Sequence, residues 1–402
     1  MDMEFTQEET AFRDEVRTFL DENLTERLRA GTRQTPGVFA EPDIGLEWHR
    51  ILNDKGWVAY HWPVEHGGTD WTHTQRYIFE KECALAGAPG VSAIALRLLG
   101  PVLCEFGSPE QKEYFLPRIR SGEDYWAQGY SEPGSGSDLA SLKTSARLDG
   151  DKYIINGSKI WTTHAHHSNW IFCLVRTNPD VKKQAGISFL LVPLDQPGVS
   201  ISPIMSMSGD HEVNQVFFDS AETDAKYLVG EEGQGWTIAK YLLENERGGS
   251  CSAPRLIAQI ESLKLLGDTV PSGTNGAMSH SREHTNRLAK LKLRAEALEV
   301  TELRILAELA KGRQPGPQTS LIKLLASNLG QDIDEFRTDL LGYDALQLPM
   351  DRPLYGNDAP EPVGIAESQT AMGKYLNSRA STIYGGSNEV QKNIIAKTVL
   401  GL

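Results

Sequence analysis

The sequence predicts an α+β chain in three parts: a helical N-terminal domain over 1–122, a β-domain over 123–232 and a C-terminal helical bundle over 233–402. Three observations predict it. Capped, amphipathic runs fill the first ~120 residues. Turn dipeptides and short apolar runs crowd the stretch from Tyr125 to Gly230. Beyond Trp236, apolar residues recur at heptad spacing. The length, 402 residues, exceeds what one ordinary core organises.

In the N-terminal part, Thr6 and Glu9 form a capping-box pattern, followed by Phe12, Val16, Phe19 and Leu20 at helical spacing. Gly56-Trp57, Trp62-Pro63 and Gly67-Gly68 break the helices. In the middle part, Asp149-Gly150 and Asn156-Gly157 are hairpin dipeptides flanking Tyr153-Ile154-Ile155. Strand-like runs follow at Trp170–Val175, Ile187–Val192 and Val213–Phe218. In the last part, Leu291, Leu298 and Ile305, joined by Leu288 and Ala295, form a bundle-packing stripe. Pro271–Met278 and Gln347–Pro362 read as loops within it.

The hydrophobic fraction is 40% and the charged fraction 23%, ordinary for a soluble enzyme. No run approaches the ~18 apolar residues of a membrane span. The acidic start Met1-Asp2-Met3-Glu4-Phe5 lacks the basic flank and apolar run of a signal peptide, so a cytoplasmic protein is expected. The net charge of -14 argues against sequence-independent nucleic-acid binding, which needs a basic surface. An anionic ligand must then be held by backbone N–H groups, helix N-termini or single basic residues. Cys83, Cys104, Cys173 and Cys251 are scattered, which points to a reducing compartment and to neither a zinc site nor a disulfide framework.

Four segments carry candidate chemistry. Gln128-Gly129-Tyr130-Ser131-Glu132-Pro133-Gly134-Ser135-Gly136-Ser137-Asp138 is a turn whose glycines let backbone approach a ligand and whose hydroxyls can bond polar edges. Taken alone it is a plain surface turn. Ile155-Asn156-Gly157-Ser158-Lys159-Ile160-Trp161-Thr162-Thr163 is either a core Trp with strand threonines or an aromatic wall for a flat cofactor. Glu244-Asn245-Glu246-Arg247-Gly248-Gly249 has two carboxylates two residues apart, so at most one faces a given site. A solvated ion pair is the ordinary reading. Tyr384-Gly385-Gly386-Ser387-Asn388-Glu389 is a glycine turn opening a terminal helix capped by Ser387 or Asn388.

Together and in this order, the four segments resemble the acyl-CoA dehydrogenase family over essentially the whole chain. Phe106-Gly107-Ser108-Pro109-Glu110-Gln111-Lys112 and Leu228-Val229-Gly230-Glu231-Glu232-Gly233-Gln234-Gly235-Trp236 support the likeness. The resemblance implies FAD as cofactor, an acyl-CoA thioester as substrate and an electron-transfer flavoprotein as acceptor. It places Gln128, Tyr130, Ser131, Gly136, Ser137, Trp161 and Thr163 at the cofactor: Ser131 on the pyrimidine side of the isoalloxazine, Trp161 on the ring, Thr163 at N5. Ser137 falls also near CoA. Ser387 and Glu389 fall at the adenosine side, and the Gly385 N–H at the thioester carbonyl, where negative charge develops.

The sequence departs from the family in two places. Many members carry the catalytic Glu directly after the Tyr of the last turn, where this chain has Gly385. Members of the isovaleryl type carry it before an Arg on the earlier helix, where this chain has Glu246-Arg247. Glu246 is therefore the expected base, Glu244 the backup, and Arg247 the supporting and substrate-side cation. A dry pocket raises such a carboxylate toward the useful pKa range. The second departure is the family's Arg-x-x-Phe-Gly segment, which reaches a neighbouring subunit's FAD. Its place is taken by Pro271-Ser272-Gly273-Thr274-Asn275-Gly276, and Leu341-Gly342-Tyr343 stands near the family's adenine segment. The pattern resembles the large, base-bearing subunit of heteromeric dehydrogenases acting on bulky, steroid-derived or dicarboxylic acyl-CoAs. A paralogous partner would then supply the Arg; otherwise the chain is a homo-oligomer. Two other functions compete: a flavin monooxygenase or oxidase, which needs no base at Glu246, and a non-catalytic partner subunit. His164, His166 and His167 do not have the spacing of common zinc sites, and no metal is expected.

Overall fold

The computed structural model describes residues 5–248, 252–273, 276–313, 316–351, 353–356 and 359–402; the side chains of 244–248 lie outside that description. Six helices open the chain: α1 (Gln7–Asn23), α2 (Glu26–Arg33), α3 (Pro42–Lys55), α4 (His73–Ala86), α5 (Gly100–Phe106) and α6 (Pro109–Ser121). Thr6 closes the capping box that its sequence predicts, accepting from the Glu9 N–H while Glu9 accepts from the Thr6 N–H. Thr72 and Ser108 build the same device with Gln75 and Gln111. The turn after α3 is walled with aromatics: Trp57, Tyr60 and Trp62 are buried with Phe12, Phe19 and Trp48.

Strands β1 (Trp126–Gly129), β2 (Ser145–Asp149), β3 (Lys152–Thr163), β4 (Trp170–Arg176), β5 (Ile187–Pro193), β6 (Val199–Ile204), β7 (Val213–Asp224) and β8 (Leu228–Val229) form one mixed sheet. Their order is β6-β7-β3-β2-β4-β5-β8, with β1 parallel to β4. Strand β4 shows why it is apolar throughout. Trp170, Phe172 and Leu174 join the core shared with the N-terminal helices, while Ile171, Cys173 and Val175 join the core on the other face. Gln111 ties helices to sheet, donating to the carbonyls of Lys226 (2.6 Å) and Leu228 (2.8 Å). The two supporting sequence stretches therefore meet in space.

One hairpin expectation is corrected. Asp149-Gly150 does turn β2 into β3, with Gly150 at φ 66°. Asn156-Gly157 instead lies inside β3, at a register shift against β7. The reason is a close approach: a Cβ on Gly157 would lie 2.7 Å from the Thr144 Cα. Trp161, Thr162 and Thr163 thus continue the same strand and do not leave a hairpin.

The C-terminal part holds α7 (Gly235–Gly248), α8 (Ala253–Thr269), α9 (Arg282–Leu309), α10 (Gln318–Leu341), α11 (Ser368–Ser378) and α12 (Asn388–Thr398). Leu291, Ala295 and Leu298 are buried in its core, with Leu288 and Ile305 packed against it. Pro271–Met278 is not a plain loop. Pro271–Ser272 (β9) pairs with Gly276–Ala277 (β10), while Thr274 and Asn275 lie outside the described residues. Cys83, Cys104 and Cys173 are free thiols; Cys251 lies outside the described residues. No helix among the described residues is long and apolar enough to cross a membrane.

Candidate active site

Two of the four segments meet on the sheet. The Ile160 N–H donates to the Ser131 carbonyl at 2.9 Å, joining the serine-glycine loop to the end of β3. There β3 slips register a second time, between Lys159 and Thr162. Trp161 sits in the slip with φ 60°, a left-handed backbone that bulky L-residues avoid. Trp161 is 60% exposed, between half-buried Ile160 and buried Thr162. Thr163, two residues on, is half-buried. Trp161 is therefore not a core residue. Tyr130 is buried edge-on against Phe172, and half-buried Gln128 pairs opposite Phe172 in register. Gly136 and Ser137 are exposed in the loop.

The terminal turn forms a second cluster. Gly385 and Gly386 take φ 64° and 82°, which glycine adopts without strain. Ser387, not Asn388, caps α12 through the Val390 N–H, and Glu389 is exposed in its first turn. Asn388 is buried and pinned on α10: it accepts from Lys323 (2.9 Å) and Ser327 (3.2 Å) and donates to Asn328 (3.1 Å). Buried Gln391 donates to the Gly386 carbonyl at 3.3 Å.

Glu212, at the start of β7, bridges toward this turn. Its carboxylate accepts from the Val38 and Phe39 N–H groups and from Asn377 of α11, while its carbonyl accepts from the His164 N–H. Burial and then the Glu212 charge raise the Tyr384 hydroxyl above its ordinary pKa, after the opposing pull of Arg255. Around Glu212 stand four imidazoles. His164 bonds the Tyr125 hydroxyl (2.7 Å), His166 bonds Asn214 (2.9 Å), and His211 stacks on His166 with ring centres 3.8 Å apart. Burial and mutual repulsion push His164 down to about 3 and His166 to about 4, so both are neutral hydrogen-bonding groups at neutral pH.

Glu244, Glu246 and Arg247 lie in the last turns of α7, and their side chains lie outside the described residues. Directly beyond, the N–H groups of Ser252 and Ala253 open α8 on the buried carboxylate of Glu302 at 2.8 and 3.1 Å. Burial, with Glu80 and Glu299 nearby, pushes Glu302 up to about 7.

The residues present fit a flat aromatic cofactor. Two buried polar atoms at these clusters have no partner among the described residues, Thr162 Oγ1 and Gln391 Oε1. Exposed Trp161, next to Thr162, offers a face on which a flat ring could stack.

Residues 6–123 match the acyl-CoA dehydrogenase N-terminal domain, 127–221 the middle domain and 233–400 the C-terminal domain. Acyl-CoA dehydrogenase IpdE1 of Mycobacterium tuberculosis is 40% identical over 395 residues, covering 97% of either chain. The chain belongs to the acyl-CoA dehydrogenase family. This is a family of flavoprotein oxidoreductases, and the chain is such an enzyme. Acyl-CoA dehydrogenase FadE26 of the same organism is 28% identical and covers 100% and 99% of the two chains. Among solved structures, the Tcur3481-Tcur3483 steroid ACAD superposes with TM-score 0.84 at 28% identity, covering 100% and 99%. The ChsE4-ChsE5 complex from Mycobacterium tuberculosis gives 0.81 at 27%, with the same coverage.

Sequence reasoning named Ser131 and Trp161 but gave no role to Glu132, Lys159 or Glu212. One signal was available. Lys159 lies inside a strand-like run between Ile155 and Trp161, and a lysine that a sheet buries requires a partner.

Proposed function

We propose that this acyl-CoA dehydrogenase binds FAD and removes two hydrogens from the α and β carbons of an acyl-CoA, giving the trans-2-enoyl thioester. FAD, when bound, accepts the β-hydrogen with its electron pair. Glu246 takes the α-proton onto its carboxylate, with Glu244 as backup and Arg247 in support. The Gly385 N–H holds the thioester carbonyl, where charge develops as the proton leaves. Trp161 covers the ring; Gln128, Tyr130, Ser131, Gly136, Ser137 and Thr163 line the cofactor face; Ser387 and Glu389 serve the adenosine side. Ser137 also reaches CoA. The boundaries 1–122, 123–232 and 233–402 mark the three functional units.

The observation that carries this reading is the bulge at Trp161. Trp161 is left-handed, 60% exposed and beside the Ser131 loop, and it joins none of the aromatic contacts among the described residues. The test is Glu246→Gln. It should keep bound flavin and lose about 10²- to 10⁴-fold in turnover. Unchanged turnover removes Glu246 from the mechanism.

We also propose that a paralogous subunit completes the cofactor site and that the substrate is bulky or steroid-derived. Support comes from the short β9–β10 hairpin where the family's Arg-x-x-Phe-Gly segment is expected. Two similar structures are a complex, ChsE4-ChsE5, and a steroid ACAD. Electrons would pass to an electron-transfer flavoprotein in the cytoplasm. A fully flavin-loaded, active homo-oligomer of this chain alone would overturn the two-subunit reading.

A further inference from the structure

Lys159 takes no part in the chemistry just described, yet it is fully buried. Its ammonium donates to Glu132 Oε1 (2.8 Å), to the Leu174 carbonyl (2.7 Å) and to the Tyr130 carbonyl (3.4 Å). All three N–H donors are used. Glu132 is 8% exposed and equally committed: it accepts from the Lys143 N–H (2.6 Å) and the Thr144 N–H (2.9 Å). The pair thereby ties the start of the 130–144 loop to its end and anchors both on β4.

Such a pair is a poor way to gain stability. Removing two charges from water costs several kcal/mol per ion, and an apolar pair of similar volume is often as stable or more so. What the ions add is direction. Each donor and acceptor fixes one backbone group, and these groups border the cofactor face. Ser131 lies between Tyr130 and Glu132. Ile160, next to Lys159, donates to the Ser131 carbonyl. Trp161 follows in the strained bulge.

We propose that the buried Lys159–Glu132 pair is a positioning device: it locks the loop carrying Ser131 against the bulge carrying Trp161 and so sets the spacing of the cofactor face. The proposal rests on the flavin reading above. Lys159 and Glu132 touch neither cofactor nor substrate; they act through Ser131 and Trp161.

The test compares the protein as purified, with any partner it carries, against Lys159→Met and the double variant Lys159→Met/Glu132→Met. The single variant leaves a carboxylate buried without its cation and is expected to be strongly destabilised. The double variant replaces the pair by apolar groups and should regain thermal stability. Its FAD Kd should nevertheless stay raised about tenfold or more, with an altered visible circular-dichroism band and a shifted flavin potential. Recovery of the wild-type Kd, band and potential together with stability would overturn the proposal. Hydrogen exchange on the flavin-free wild type needs no variant. The Ile160 amide should already be protected, and exchange at the rate of a free loop would also overturn it. A wild type that takes up no FAD at all would sink the functional reading, while the exchange result would still judge the lock.

Discussion

Glu132, beside the Trp161 bulge, and Glu302, below the end of the Glu246 helix, are the same device in two electrostatic settings. Both carboxylates are buried, and both accept N–H groups from two consecutive residues, Lys143 and Thr144 in one case, Ser252 and Ala253 in the other. Glu132 also has the Lys159 ammonium at 2.8 Å. Burial alone would raise it, but Lys159 and the N–H groups hold it below the ordinary carboxylate range. Glu302 faces Glu80 and Glu299, and burial pushes it up to about 7. With two backbone donors and carboxylate neighbours a buried carboxyl is raised; with two backbone donors and a cation it is lowered. Glu132 therefore stays ionised near neutral pH, whereas Glu302 titrates there.

The largest expected effect breaks the comparison by making Glu132 resemble Glu302. Lys159→Met should destabilise the protein by about 3–5 kcal/mol at neutral pH, because a buried charge loses its partner. Denaturant midpoints should show the loss shrinking in acid, where Glu132 can take a proton.

The next effect concerns Glu302 itself. Its carboxyl binds a proton more tightly folded than unfolded, since its pKa rises from 4.5 to about 7. Its contribution is therefore complete below pH 4.5 and is lost as pH rises to about 7, at up to about 1.4 kcal/mol per pH unit. Glu302→Gln should remove that slope from a plot of unfolding free energy against pH. An unchanged slope would show that Glu302 is not the titrating group.

Smaller changes sharpen the cofactor wall. Trp161→Asn puts a residue that tolerates left-handed backbone at φ 60°. It should stabilise the flavin-free protein by about 1 kcal/mol while weakening FAD binding. Stabilisation with unchanged FAD affinity would remove Trp161 from the site. Smallest of all, Ser387→Ala removes the α12 cap and should cost about 1 kcal/mol in thermal unfolding.

Much of the fold was legible because it rests on local signals. The Thr6–Glu9 capping box, the Leu291–Leu298 stripe and the Asp149-Gly150 turn each act within a few residues, and each appears as expected. Asn156-Gly157 misled because its glycine answers to Thr144, a contact between strands that no local pattern records. The site was legible as four segments, but not as a connected structure. Glu132 and Lys159 both lay within quoted segments, yet their partnership depends on two bulges that realign β3. Glu212 and Glu302 work through backbone N–H groups of distant segments, so nothing in their neighbouring residues marks them.

The central claim is that α-proton removal belongs to Glu246. Its most direct measurement is anaerobic bleaching of the bound flavin by a panel of acyl-CoAs, polycyclic ones included, in Glu246→Gln beside Glu244→Gln. Glu244→Gln should bleach with the wild-type substrate and rate, while Glu246→Gln should keep an oxidised flavin spectrum throughout. Bleaching at the wild-type rate in Glu246→Gln, with the loss found in Glu244→Gln, would contradict it.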